Sequence, residues 1–510
     1  MTRERFHHII YFVGTMVLVA SMPLSHFSMG LTSLILFLNW LAEWNWKEKW
    51  TNLKANSEGL VFAGLFIACL LGLIKTDDWA FASHNLLSKL PLFFAPIVII
   101  TTKPFSKKEL DWVLNAFVIS TVFCCVCSIV YWMTHTVSNI RQISIFIDHI
   151  RFSLCIDLSI VFCFYFLTQV RQRRWLNWIY FGLILFLMAY LFFAQTLTGI
   201  IVLAALFVVF LFYSLISMPV GWKRIASIVV LLAAISVGTF YTGDICYQYF
   251  RNKDEDITAT HTALGNEYEF DEDTPVESGH RIGYYVCKPE LQTAWALRSD
   301  TLYDGLLEQT LIRYLNSKGL HKDYAGVMAL DEEDVQNVER HIANYDYTRP
   351  FGLRRALYQN FFSLSMFWQY RYIDNSTLLQ RIELWRASIA VVKDNWLLGV
   401  GIGDFKHALD EQLASQNSVI AHKQNRGSHS QFLTYWLMGG VFLVLYFLFV
   451  LIFPFFKMRK KINLLFISLI FIIFISCIAE DTIETQTGRM LFSVFAPLFL
   501  FQPVNQEQDS

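Results

Sequence analysis

The sequence predicts an all-α polytopic membrane protein with about 12 transmembrane helices and one large, mainly helical exported insertion between spans 9 and 10. Three observations carry that expectation. Hydrophobic residues make up 55% of the 510 positions and charged residues only 16%, against about 25% charged in a soluble domain. The apolar residues come in long blocks rather than at amphipathic spacing, and Lys and Arg gather in alternate connections between the blocks. The formal net charge of −1 lacks the basic excess of a nucleic-acid binder.

Crossing the hydrocarbon takes about 20 apolar residues, within roughly 17–25. Blocks of this kind lie near 8–24, 26–42, 59–75, 86–102, 110–134, 152–170, 176–195, 197–218, 225–243, 430–456, 462–479 and 489–503. Backbone groups in lipid must be satisfied within the segment, so these blocks are read as helices. The first block lacks a small-x-small cleavage site at Ser21–Leu24 and a second block follows at once, so it reads as a span rather than a signal peptide. Span 86–102 is the least regular, carrying Lys89 and two prolines.

Positive charge sets the expected orientation. With the N-terminus inside, the inner connections hold Arg3, Arg5, Lys47, Lys49, Lys54, Lys103, Lys107, Lys108, Arg171, Arg173, Arg174, Lys223, Arg224, Lys457, Arg459, Lys460 and Lys461. The short outer connections hold Lys75, Lys89, Arg141, Arg151 and Arg489. Both termini are then cytoplasmic. The expected organisation is 1–243 with spans 1–9, a periplasmic loop domain at 244–429, and 430–510 with spans 10–12 and a short tail. The loop domain holds 19 basic and 27 acidic residues, a net −8 against +7 for the remainder.

A stretch of 186 residues is too long for a structureless loop, so 244–429 should fold. Its start, 252–277, is acidic. Gly279–Cys287 has strand composition. Leu291–Leu315 shows helical spacing, as does Asp331–Ile342 behind an acidic cap. Leu378–Asp394 reads as an amphipathic helix on which Arg381 and Trp385 share a face. Seven cysteines lie in spans as small apolar residues, the 124–127 cluster among them. Cys246 and Cys287 are the two on the exported side, which leaves a disulfide between them open.

Most eye-catching motifs have dull readings. Gly399, Gly401 and Gly403 lack GxGxxG spacing and a strand–helix frame, so a tight turn back to the membrane explains them better. His7–His8 reads as a solvated terminus. A lone histidine is usually structural, but His429 stands where a polar loop becomes a membrane helix, with an aptitude for acid/base work. Arg151, Arg381 and Arg386 lie near membrane boundaries, where an arginine is commonly a snorkelling anchor. Clustered on one face, arginines also make a fork-shaped receptor for pyrophosphate. Asp148, His149 and Arg151 form one polar knot, and Glu480, Asp481, Glu484 and Arg489 another. Asp157 is the one carboxylate inside a span that could suggest an ion path.

The segment RIELWRASIAVVKDNWLLGVGIGDF, followed by RGSHSQFLTYWLMGG opening a span, resembles the O-antigen ligase/polymerase superfamily. The likeness is specific over about 378–445 and topological elsewhere. It implies transfer of a glycan from an undecaprenyl (polyprenyl) pyrophosphate carrier to an acceptor hydroxyl at the periplasmic face of the bacterial inner membrane. The acceptor would be lipid A-core or a glycoprotein, with no metal and no cofactor. By resemblance, His429 and Arg381 would be catalytic, with Arg151 and Arg386 binding the pyrophosphate. Many members carry a Ser-Arg-x-Gly-like turn at the outer end of a mid-chain helix. Here Gln195-Thr-Leu-Thr-Gly199 has Leu197 at the arginine's place, and Arg151 would substitute for it in space. A polymerase joining carrier-linked repeat units shares this description. A transporter or flippase is the rival of another class, marked by broken helices with paired charges at mid-membrane. A scaffold would leave His429 and Arg381 dispensable.

Overall fold

The computed structural model describes residues 2–135, 137, 140–169, 174–217, 221–251, 259–348, 353–371, 376–422 and 426–502. Arg171 and Arg173 of the expected inner rim, and 252–258 of the acidic stretch, lie outside the described residues. The chain forms two compact units, Met1–Phe212 with Arg381–Ser510, and Tyr213–Gln380.

The first unit is helical throughout. It contains α1 (Arg3–Ser21), α2 (His26–Ala42), α3 (Trp46–Ala55), α4 (Leu60–Cys69), α5 (Trp79–Thr101), α6 (Lys107–Thr134), α7 (His149–Gln169), α8 (Arg174–Phe193) and the start of α9 (Leu197–Ser217). Each of the twelve apolar blocks of the sequence falls on a helix. Their lengths make a multi-pass membrane protein but do not by themselves make twelve crossings. Six described helices are long and apolar enough to cross alone, and the pair Trp46–Ala55 and Ser57–Leu73, bent by 82°, brings the number to seven at most. The reason is physical: α2 has 17 residues, at the short end for a span, and α1 opens on Arg3, Glu4, Arg5, His7 and His8. His7 and His8 are not a solvated terminus. His7 is buried and its Nδ1 lies 2.8 Å from Asn39 Oδ1, while His8 Nε2 lies 2.8 Å from Glu109 Oε1. Glu109 also closes a capping box with Ser106 at the start of α6.

The second unit begins in the last residues of α9 and continues with α10 (Trp222–Phe250). Strands β1 (Val276–Glu277) and β2 (His280–Arg281) pair antiparallel, with Glu277 opposite His280. The two turn residues, Ser278 and Gly279, both have positive φ, as a type I′ hairpin requires. The strand expected over Gly279–Cys287 stops at Arg281, where the chain turns and Tyr284 N donates back to Arg281 O at 3.2 Å; Tyr285 beyond it is left-handed, with φ 56°. The helix expected over Leu291–Leu315 is two helices, α11 (Lys288–Trp295) and α12 (Gly305–Ser317), with Asp304 restarting the second by accepting from Leu307 N at 2.8 Å. After α13 (Tyr324–Met328) comes α14 (Glu332–Glu339), whose acidic cap is a reciprocal Asp331–Asp334 box. Trp295, Leu311, Leu315, Val335 and Val338 form the small core. Beneath it Arg313 grips buried Glu277 with two hydrogen bonds of 2.9 Å, and Asn344 Nδ2 adds a third at 2.8 Å. Cys246 and Cys287 are free thiols. The unit ends with α15 (Leu353–Tyr370).

The remaining helices, α16 (Thr377–Asp394), α17 (Phe405–Ser415), α18 (Gln431–Lys457), α19 (Leu464–Ala479) and α20 (Gln486–Phe501), complete the first unit from Arg381 on. Helix α18 is broken at Gly439 and Gly440, the latter at φ 67°. The glycine run 399–403 is the counterpart of that break. Val400 N donates to Leu437 O at 2.7 Å and Val441 N donates to Trp396 O at 3.0 Å, so backbone groups freed by the kink are paired again. A side chain on Gly440 would meet Leu397 O at 2.0 Å. The turn also reaches the α4–α5 connection, where Ile402 N donates to Gly72 O at 2.9 Å.

Candidate active site

Three of the four arginines and histidines singled out in the sequence meet on one carboxylate. Glu480 follows α19 in the short connection to α20 and is buried. Arg151, in the first turn of α7, places Nη1 3.1 Å from Glu480 Oε2 and 3.3 Å from Asp148 Oδ1. Arg381 on α16 is hydrogen-bonded through Nη2 to the other oxygen, Oε1. His429 Nδ1 lies 3.7 Å from Oε2, and its side chain is 39% exposed. The carboxylate is thus shared, and the imidazole keeps a face open to a ligand. Arg151 Nε is buried without an acceptor among the described residues.

The neighbouring connection residues hold the histidine's backbone. His429 sits at φ 52°, a left-handed conformation that histidine adopts more readily than most side chains. Its N–H donates to Asp481 Oδ2 at 3.0 Å, while Thr434 Oγ1 donates to Asp481 Oδ1 at 2.7 Å. The Trp385 indole, one helical turn beyond Arg381, donates to the His429 carbonyl at 3.3 Å. Gly427 is required because a Cβ there would lie 2.4 Å from Asp481 Oδ2. Deeper in the same connection, Glu484 pairs with fully buried Lys89 of α5 and accepts from Gln431 Nε2 at 3.3 Å. Gln431 Oε1 in turn accepts from Ile483 N at 2.8 Å. Arg489 donates to Ser88 Oγ at 2.7 Å and to the Glu484 carbonyl at 3.0 Å.

The electrostatics separate the three carboxylates. Burial alone would raise the Glu480 carboxyl, but His429, Arg151 and Arg381 outweigh it and hold the group below the ordinary carboxylate range. Burial likewise opposes ionisation of Glu484, and Lys89 and Arg489 reverse it. Burial is the largest influence on Asp481 and pushes it up.

Arg386 is elsewhere. Five residues past Arg381 it points from a different side of α16, its side chain 64% exposed and Nη1 3.9 Å from Glu383 Oε1. Leu197 opens α9 and is exposed. Gly199 packs so tightly on Ser153 of α7 that a Cβ would lie 2.6 Å from it. Ser153 stands two residues past Arg151, so the turn packs against the beginning of α7. The sequence placed Glu480 in a polar knot without giving it a role. The signal was present: Glu-Asp-Thr-Ile-Glu sets three carboxylates in five residues between two apolar helices.

A multi-pass helical membrane protein with a carboxylate-bridged arginine–histidine cluster at helix ends is the class that fold and site define. Residues 350–448 match the family model described as O-Antigen ligase. This segment, about a fifth of the chain, holds Arg381, Arg386, the glycine turn, His429 and the break in α18, and over it the chain is similar to that family. The family transfers glycans, with lipid-linked glycan substrates in a membrane setting. No curated protein matches the chain.

Proposed function

We propose that this enzyme transfers a glycan from an undecaprenyl pyrophosphate carrier to an acceptor hydroxyl at the periplasmic face of the inner membrane. The single observation that carries the reading is the meeting of Arg151, Arg381 and His429 on Glu480. The acceptor oxygen attacks the anomeric carbon while the bond from that carbon to the pyrophosphate oxygen breaks. The electron pair leaves with the prenyl pyrophosphate, and Arg151 and Arg381 take up the charge that develops there. Glu480, facing Nδ1, keeps the proton on that side of the imidazole. Nε2 is then the acceptor for the hydroxyl proton. The pyrophosphate is a good leaving group once its charge is met, so two guanidinium groups can serve where other transferases use a metal. The apolar helices provide the medium for the prenyl tail.

The subtype is proposed as a ligase, moving a finished chain to lipid A-core or a glycoprotein, with polymerisation of carrier-linked units as the second reading. His429→Ala and Arg381→Ala at matched protein level test both. Loss of surface glycan of about 10²-fold or more is expected for each, within the usual range for a general base or a charge-stabilising group. Long carrier-bound chains would accumulate if the enzyme is a ligase, and single carrier-bound units if it is a polymerase. Normal surface glycan in both variants would remove the enzymatic reading and leave a transporter or scaffold.

A further inference from the structure

Helix α16 presents a second face beside the site. Ile382, Arg386, Ile389 and Lys393 follow one another at spacings of four, three and four, a single stripe along the helix. This stripe, with Trp385 and with Gln416 at the end of α17, lines an open cleft of about 450 Å³, a size usual for a small-ligand site. Its floor is apolar, and Arg386 and Lys393 stand exposed at its rim. Arg386 has only the 3.9 Å approach to Glu383 to balance it. Gln416 Oε1 is buried and accepts no hydrogen bond among the described residues.

The cleft is also joined to the chemistry. Trp385 is one of its walls, and the same indole donates to the carbonyl of His429. A ligand against this ring therefore lies one side chain away from the proposed base. An aromatic wall and two rim cations together match an anionic sugar and not a neutral lipid.

The geometry points to this cleft as the acceptor subsite: it takes a phosphate-bearing sugar of the acceptor glycolipid, with Arg386 and Lys393 on the phosphate and Trp385 against the sugar. The inference rests on the proposed transfer reaction. It moves Arg386 from the donor's pyrophosphate, where the sequence alone suggested it, to the acceptor. Donor and acceptor then approach His429 from neighbouring flanks of one helix.

The test is binding of bisphosphorylated lipid A, and of its dephosphorylated form, to the full-length protein in phosphatidylcholine nanodiscs. Arg386→Gln with Lys393→Gln should weaken the bisphosphorylated form about tenfold, the effect of losing two partly exposed charge contacts. The dephosphorylated form should be unaffected by that pair. Trp385→Ala should weaken both forms. His429→Ala should bind both as the wild type does, because it removes only the base. Unchanged affinity in the Arg386/Lys393 variant would overturn the subsite, as would no binding of either lipid A form. Equal competition by phosphatidylglycerol would also overturn it, reducing the cleft to a general anionic-lipid groove. The parent reading fails separately: full glycan transfer by His429→Ala and Arg381→Ala would sink it whatever lipid A does. Loss of transfer in those two variants, with lipid A binding indifferent to Arg386 and Lys393, would sink only the subsite.

Discussion

Each of the two units buries a glutamate against arginine, and the two arrangements differ in one respect. Glu277 in the insertion is fully buried and saturated, with both oxygens on one Arg313 fork and an amide from Asn344 besides. Glu480 in the helical unit is equally buried, but its oxygens are divided among Arg151, Arg381 and His429. Two of those partners keep unused capacity. Arg151 Nε lacks an acceptor among the described residues, and the imidazole is more than a third exposed. A fork closed on its carboxylate holds a domain together, whereas a shared carboxylate holds several groups in place for something else.

Substitution can break that comparison. Glu480→Gln should have the largest consequence for activity, a fall in glycan transfer of about 10²–10³-fold, since two cations and a base lose their common support. Cellular protein level should change little, because Arg151 retains Asp148. Transfer near the wild-type rate would make Glu480 as structural as Glu277. Arg313→Met is the mirror experiment. It strands Glu277 in the insertion's interior and should cost about 3–5 kcal/mol of that unit's stability, read as new protease cleavage within 259–348. Arg381→Met should produce no such cleavage.

Lys89→Met probes the deeper pair. It leaves Glu484 with Gln431 and should lower the thermal midpoint by an amount equivalent to about 2–3 kcal/mol, at the lower edge for a broken buried pair. The smallest effect expected is that of mild acid. A carboxyl held below its unfolded pKa contributes stability that is complete above the unfolded value, about 4.3 for Glu, and is lost as pH falls through the folded value. Glu480 is of this kind, so its cluster should persist from neutral pH to about pH 4.3 and weaken only below. Thermal unfolding followed from about pH 7 to pH 3 should show an acid-side loss that Glu480→Gln removes. A loss already complete at about pH 5 would contradict the depressed carboxyl.

The helical blocks were legible in the sequence because lipid leaves the backbone no alternative once an apolar run is long enough. The number of crossings was less so: hydropathy does not show that α4 bends away from α3 or that α19 ends after 16 residues. In the insertion, Asp331 announced its helix, but nothing local announced that the chain would turn after Arg281 or that α11 would stop at Trp295. At the site, the types and rough positions of Arg151, Arg381 and His429 were readable from their places at helix ends. Their meeting on Glu480 was not, since it joins residues 329 and 99 positions apart. Nor could the sequence tell Arg381 from Arg386. That distinction needs the direction of each side chain on α16.

The break in α18 has a consequence of scale. Between Ser430 and the Gly439–Gly440 kink runs a half-helix of eight residues, Gln431–Met438, about 12 Å at 1.5 Å per residue. Half of a hydrocarbon layer of about 30 Å is about 15 Å. If the kink lies near the middle of the bilayer, this half-helix would work as a ruler that sets the imidazole at the boundary between oil and headgroups. The prenyl carrier of the proposed reaction would be confined by its own tail to the same depth. The two reactants would then have to search only a plane for each other, and the glycine turn wedged into the kink fixes the length of the ruler.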